Sequence, residues 1–231
     1  MNRLFFIISF SILINLAAYA QYDGPVAPNY KEIEKNFIAK YQYSELMDKY
    51  LAGSSDMSIE EQRHVYYGFI TQPQYNPTDT SKYNSDLSLA LSKTYLSDSD
   101  YNIIESSAKS LLAEDPFNLR ALNALLLVYA EKDNVEQYKI TNQKIDIVQR
   151  AIASSGDGMT RKTAYYVIKV AHEYDILNFL GYRYGGAKKM EKDKCNSLFV
   201  APNPYDVEKI YFNIEPALNY MKKRGGMKFK L

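Results

Sequence analysis

Residues 98–153 carry the strongest periodic signal in this chain, and it reads as a packed helical array. Ile103, Ile104, Ala108, Leu111 and Leu112 recur at helical spacing behind an expected cap at Asp98 or Ser99. Asp115-Pro116-Phe117-Asn118 then breaks the period, because proline cannot continue a helix. The period resumes through Leu119, Leu122, Leu125, Leu126, Val128 and Tyr129. It breaks again at Glu131-Lys132-Asp133-Asn134 and returns from Val135 to about Ala153.

Upstream, Asn29 is an expected cap for a helix with Tyr30, Ile33, Phe37, Ile38 and Tyr41 on one face. A continuation from Ser44 to Leu51 stops at Gly53-Ser54-Ser55. Ser58 and Glu61 have the spacing of a capping box, opening a helix with Ile59, Val65, Tyr66, Phe69 and Ile70. Pro73 and Pro77 end it in a turn-rich loop from Gln72 to Lys82, and a helix follows from about Asp86 to Tyr95. Downstream, Gly156-Asp157-Gly158 precedes Thr160, an expected cap for a helix over Arg161 to about Glu173.

After residue 173 the character changes. Ile176–Tyr184, Asn196–Ala201 and Glu208–Ile214 read as three strands of an antiparallel meander, with Gly185-Gly186 beside a turn. Lys222, Lys223, Arg224, Lys228 and Lys230 read as a solvated basic tail. The expected fold class is α+β, mostly α. A helical-repeat-like array over 29–173 is followed by a small antiparallel β-sheet and tail over 174–231, all within one domain.

The first twenty residues bear on address. Asn2 and Arg3 precede an apolar run from Leu4 to Leu16, and Ala18-Tyr19-Ala20 has a small-x-small pattern before Gln21. This is the pattern of a secretory signal peptide cleaved after Ala20. The run is shorter than the about 20 residues of a membrane span, and no Cys follows the cleavage point to carry a lipid. The expected mature chain is residues 21–231, with an extended lead-in over 21–28, no membrane span, and a periplasmic or extracellular location. Without Arg3 it carries 27 basic and 27 acidic residues, so it lacks the basic field that nucleic-acid binding requires. Cys195 is the single cysteine and can form no internal disulfide.

Known catalytic signatures are missing. There is no GxSxG elbow, no phosphate-binding glycine loop and no HExxH pair. Only His64 and His172 are present; with Glu60, one turn before His64, and Glu173 they form at most a weak metal-ligand set. No cofactor is expected. The most unusual stretch is His64-Val65-Tyr66-Tyr67-Gly68-Phe69, running into Gln72-Pro73-Gln74-Tyr75-Asn76-Pro77. Rings that stack beside amides that hydrogen-bond suit a sugar or peptide, which makes Tyr66, Tyr67, Gln72, Tyr75 and Asn76 candidate ligand-binding residues. The alternative is that Tyr66 and Phe69 belong to the core and the loop only closes the fold.

Two resemblances follow. Residues 101–153 resemble a tetratricopeptide-type helical pair, carried by Ala108, Leu111, Asp115-Pro116, Asn118, Ala121-Leu122, Tyr129 and Asp133-Asn134. Most of the chain resembles an uncharacterised family of secreted Bacteroidetes proteins, domain of unknown function number 4919. Tyr66-Tyr67-Gly68-Phe69, the Gln72–Pro77 run, Glu173-Tyr174-Asp175-Ile176-Leu177 and Val207–Ile214 carry it. That resemblance implies secretion and gives no activity. The expected function is a protein- or ligand-binding or scaffolding module of the cell envelope, partnered by an envelope protein, peptide or glycan. The other reading is a hydrolase or metal-dependent enzyme with an unrecognised active site.

Overall fold

The computed structural model describes residues 24–78 and 80–224. The expected signal peptide, the start of the lead-in and the end of the basic tail lie outside the described residues. Among those described, nine α-helices precede or flank a four-stranded sheet, an α+β fold that is mostly α. None of these helices is long and apolar enough to cross a membrane.

The first helices form where capping side chains meet the start of an apolar period. Helix α1 (Tyr30–Ala39) is capped by Asn29, whose side chain accepts from the Glu32 amide. Helix α2 (Tyr43–Leu51) follows, and α3 (Ile59–Gly68) opens on a complete Ser58–Glu61 capping box. Helix α4 covers Tyr83–Leu91, a few residues earlier than the periodicity places it. Helix α5 (Asp98–Glu114) is capped by Ser97 rather than Asp98 or Ser99, because Ser97 and Asp100 form a capping box. Helices α6 (Leu119–Glu131) and α7 (Val135–Ala153) are capped by Asn118 and Asn134. From α4 to α7 each helix packs on the next, and α3 returns against α7.

Beyond α7 the structure departs from expectation. Residues 161–173 are not one helix. Thr160 caps a single 3-10 turn at Arg161–Thr163, then strand β1 (Tyr165–Tyr166) leads into a mostly buried irregular segment of bends and turns. The expected strand over Ile176–Tyr184 begins inside helix α8 (His172–Phe179), passes through a turn and reaches strand only at Tyr184. Gly181, at φ +81°, ends α8: its amide bonds Asn178, while the Tyr182 amide bonds the Leu177 carbonyl. The glycines 185 and 186 lie inside strand β2 (Tyr184–Met190), at a register shift. Strands β3 (Cys195–Val200) and β4 (Lys209–Asn213) stand where the alternation places them.

The sheet order is β1-β4-β3-β2. The last three strands form the antiparallel meander and β1 joins β4 in parallel, making the sheet mixed. Lys222 and Lys223 belong to helix α9 (Glu215–Lys223), which opens with Pro216 in its first turn and ends on cations that suit its dipole. The main core lies between α3, α7, α8 and the sheet, with Tyr50, Tyr66, Tyr67, Phe69 and Phe117 wholly buried.

Candidate functional site

The tyrosine-rich end of α3 organises the interior. Phe117, from the Asp115–Asn118 turn, is its aromatic hub: Tyr50, Phe69 and Tyr66 pack on it with ring centroids 4.8, 5.2 and 5.7 Å away. Around this cluster runs the segment 164–172, which is buried yet forms only two residues of strand. Its peptide groups must therefore find partners outside regular structure. They find them in side chains. The Tyr67 hydroxyl lies 3.1 Å from both the Ala151 and Tyr166 carbonyls. Tyr75 donates to the Ile168 carbonyl at 2.6 Å. The Tyr66 hydroxyl accepts from the Ile168 amide at 3.3 Å and donates to His172 Nδ1 at 2.8 Å. His172 Nε2 in turn donates to the Phe117 carbonyl at 3.0 Å. Tyr50 donates to the Pro116 carbonyl at 2.7 Å. Three elements distant in sequence are thus joined through phenol groups.

This relay needs a neutral His172. Burial, aided by the Lys169 charge, holds its imidazole down from 6.5 to about 3. Between those values the unfolded chain binds a proton that the folded chain does not. The stabilisation is complete above pH about 6.5 and is lost as pH falls towards about 3, at up to about 1.4 kcal/mol per pH unit. Glu173 acts in the other sense: burial raises its carboxyl above the usual range, although it accepts from Lys188 and Asn196. His172→Asn should flatten the acid-side dependence. Denaturant unfolding between about pH 7 and about pH 4 measures it, and a slope unchanged by the substitution contradicts the assignment.

The same frame holds two adjoining clefts. The larger, of about 580 Å³, is lined by Gln74 and Asn76 of the loop, by Asn84 at the start of α4, and by Glu114, Asp115 and Asn118 around the turn. The smaller, of about 160 Å³, is lined by residues including Arg120, His172, Tyr174 and Asp175. Asn118 and Lys169 belong to both. Asp115 and Lys169 form a buried ion pair, with side chains 11% and 5% exposed. Asp115 also accepts from the Phe117 amide at 3.3 Å. Asn118 uses its carbonyl oxygen to cap α6, accepting from Ala121, so its amide group is the part left to act at the clefts.

The candidate residues separate on this geometry. Tyr66 and Tyr67 are wholly buried and Tyr75 is 7% exposed, with their hydroxyls engaged as above. Their rings offer no face to a ligand here; they occupy the core position left open as the alternative. Gln72 is half-buried and donates to Thr71. Asn76 is half-buried, accepts from Thr78 and lines the larger cleft. His64 and His172 are not brought into a ligand set. His64 donates from Nδ1 to the Glu60 carbonyl at 2.7 Å and meets Asn36 at Nε2 at 3.0 Å, while the Glu60 carboxylate pairs with Lys40. Among the described residues, no group of three metal-ligating side chains converges. Lys169 escapes periodicity arguments, although a single lysine inside Tyr165–Ala171 marks a buried charge needing a partner.

Two other hollows differ in kind. One of about 490 Å³ lies between α4 and α5, beside the exposed Leu89 and Ile103. Another of about 660 Å³ is lined in part by Arg161 and Asp193, which pair with each other at 2.9 Å.

A family model described as "Domain of unknown function (DUF4919)" matches residues 29–223, which takes in every element from α1 to α9. No curated protein and no solved structure matches the chain.

Proposed function

The chain belongs to the DUF4919 family, and we propose that it is an exported binding module of the cell envelope. Its ligand would occupy the joined clefts beside the Asp115–Lys169 pair. The observation that carries this reading is the convergence on one cleft of three segments far apart in sequence: residues 74–78 and 80–84 of the loop and the start of α4, the Asp115–Asn118 turn, and Lys169. Ligand sites are preformed concavities in which a few convergent polar groups fix the ligand. The helical pair α5–α6 supplies the turn, and Asn76 is the candidate residue of the motif that also lines the cleft. Export is supported by Arg3, the Leu4–Leu16 run and Ala18-Tyr19-Ala20.

A plug tests the reading. Gln74 is exposed at the cleft wall, so Gln74→Trp should fill the cleft without touching the core. In a crosslinked pull-down of the tagged mature chain from its envelope fraction, the wild type should retain a saturable partner. The plugged variant should lose at least about tenfold in recovery, equivalent to about 1.4 kcal/mol. Equal recovery would remove the cleft from the function.

A further inference from the structure

We infer that the ligand of the joined clefts is a neutral oligosaccharide, and that the exposed Tyr174–Tyr184 ring pair is its stacking platform; this inference rests on the cleft reading above. Charge is the first argument. Lys82, Arg120 and Lys169 stand in the two linings against Glu114, Asp115 and Asp175. The signs balance, so no field draws a polyanion or a polycation.

Chemistry is the second argument. The larger lining is rich in amides and hydroxyls: Gln74, Asn76, Asn84 and Asn118, with Thr78 and Ser81. Such groups both donate and accept, as each hydroxyl of a sugar does. The large aliphatic side chains of the linings are Leu111 and Leu119, both buried in the core, so neither is presented to a peptide side chain.

An aromatic surface lies at the end of the smaller cleft. Tyr174 lines the smaller cleft and is 38% exposed, and Tyr184 is 43% exposed. Their centroids lie 5.2 Å apart with an interplanar angle of 79°. Lys188 lies over one face of the Tyr174 ring, its ammonium 5.6 Å from the centroid, and donates to Glu173, which leaves the other face for a sugar. The ring is therefore held in place while part of it remains in water. A pyranose has apolar C–H faces beside its hydroxyls. It fits a site where ring faces adjoin amide groups, and a short run of sugars would span the clefts and the rim.

Calorimetric titration of the mature protein tests this. The probes are cellohexaose, mannohexaose and chitohexaose, with a neutral Gly-Ser peptide of equal length as comparison. At least one oligosaccharide should bind saturably. Tyr174→Ala should weaken that binding about tenfold, and Tyr174→Phe, which keeps the ring, should stay within about twofold of wild type. Gln74→Trp should weaken it as well. Oligosaccharide binding unchanged by both Tyr174→Ala and Tyr184→Ala overturns the platform. Peptide binding without oligosaccharide binding overturns the ligand class, and its loss in Gln74→Trp would show that the cleft reading survives. Binding of neither probe class overturns the inference, and the pull-down with the plugged variant then judges the cleft alone.

Discussion

Lys169→Met will lower the free energy of unfolding by about 3–5 kcal/mol, because it leaves a carboxylate inside the protein without its cation. Asp115 is 8% exposed, and it also accepts from the Phe117 amide. Asp115→Asn in the same chain should restore much of the loss. Asparagine keeps an acceptor for the Phe117 amide and removes the charge. Urea unfolding of the wild type, the single variant and the double variant measures both steps. A loss below about 1 kcal/mol in the single variant would mean that the pair behaves as a solvated surface bridge.

Tyr66→Ala should cost about 3–5 kcal/mol, as truncation of a fully buried aromatic does. Tyr66→Phe should cost about 1–3 kcal/mol, because the Ile168 amide and His172 Nδ1 then lose their partner. The Phe variant is the sharper of the two, since it preserves packing and isolates the hydroxyl. Tyr95, 89% exposed, is the comparison: Tyr95→Phe should stay within about 0.5 kcal/mol of wild type. If Tyr66→Phe matches Tyr95→Phe, the phenol groups do not hold the segment 164–172 as described.

That segment also shows why the sequence could be read over one half of the chain and not the other. Asn29, Ser58, Asn118 and Asn134 act within three residues of themselves, so the helices they cap were legible. The residues from Ala164 to Lys169 take their form from Tyr66, Tyr67, Tyr75, Ser155 and Asn213, all distant. Nothing local in an apolar run with a β-branched centre separates that outcome from a helix. Two missed boundaries did have local signals: Gly181 for the end of α8, and Pro216 for the start of α9. At the site, Asn76 was legible as a loop amide beside a turn. Lys169 and Asn118 were not, because a cleft is assembled by tertiary packing. The unusual motif was legible as a place, and its tyrosines act from behind the wall, setting the turn and the segment that Asn76 faces across the cleft.

Photoreactive side chains placed at Gln74 and, separately, at Leu89 give the most direct measurement of the central claim. Both positions are exposed, one in the polar cleft and the other in the apolar groove between α4 and α5. In whole native cells, position 74 should give a specific adduct that excess wild-type protein competes away, and position 89 should give none. An adduct from Leu89 alone would place recognition on the helical groove and contradict the account.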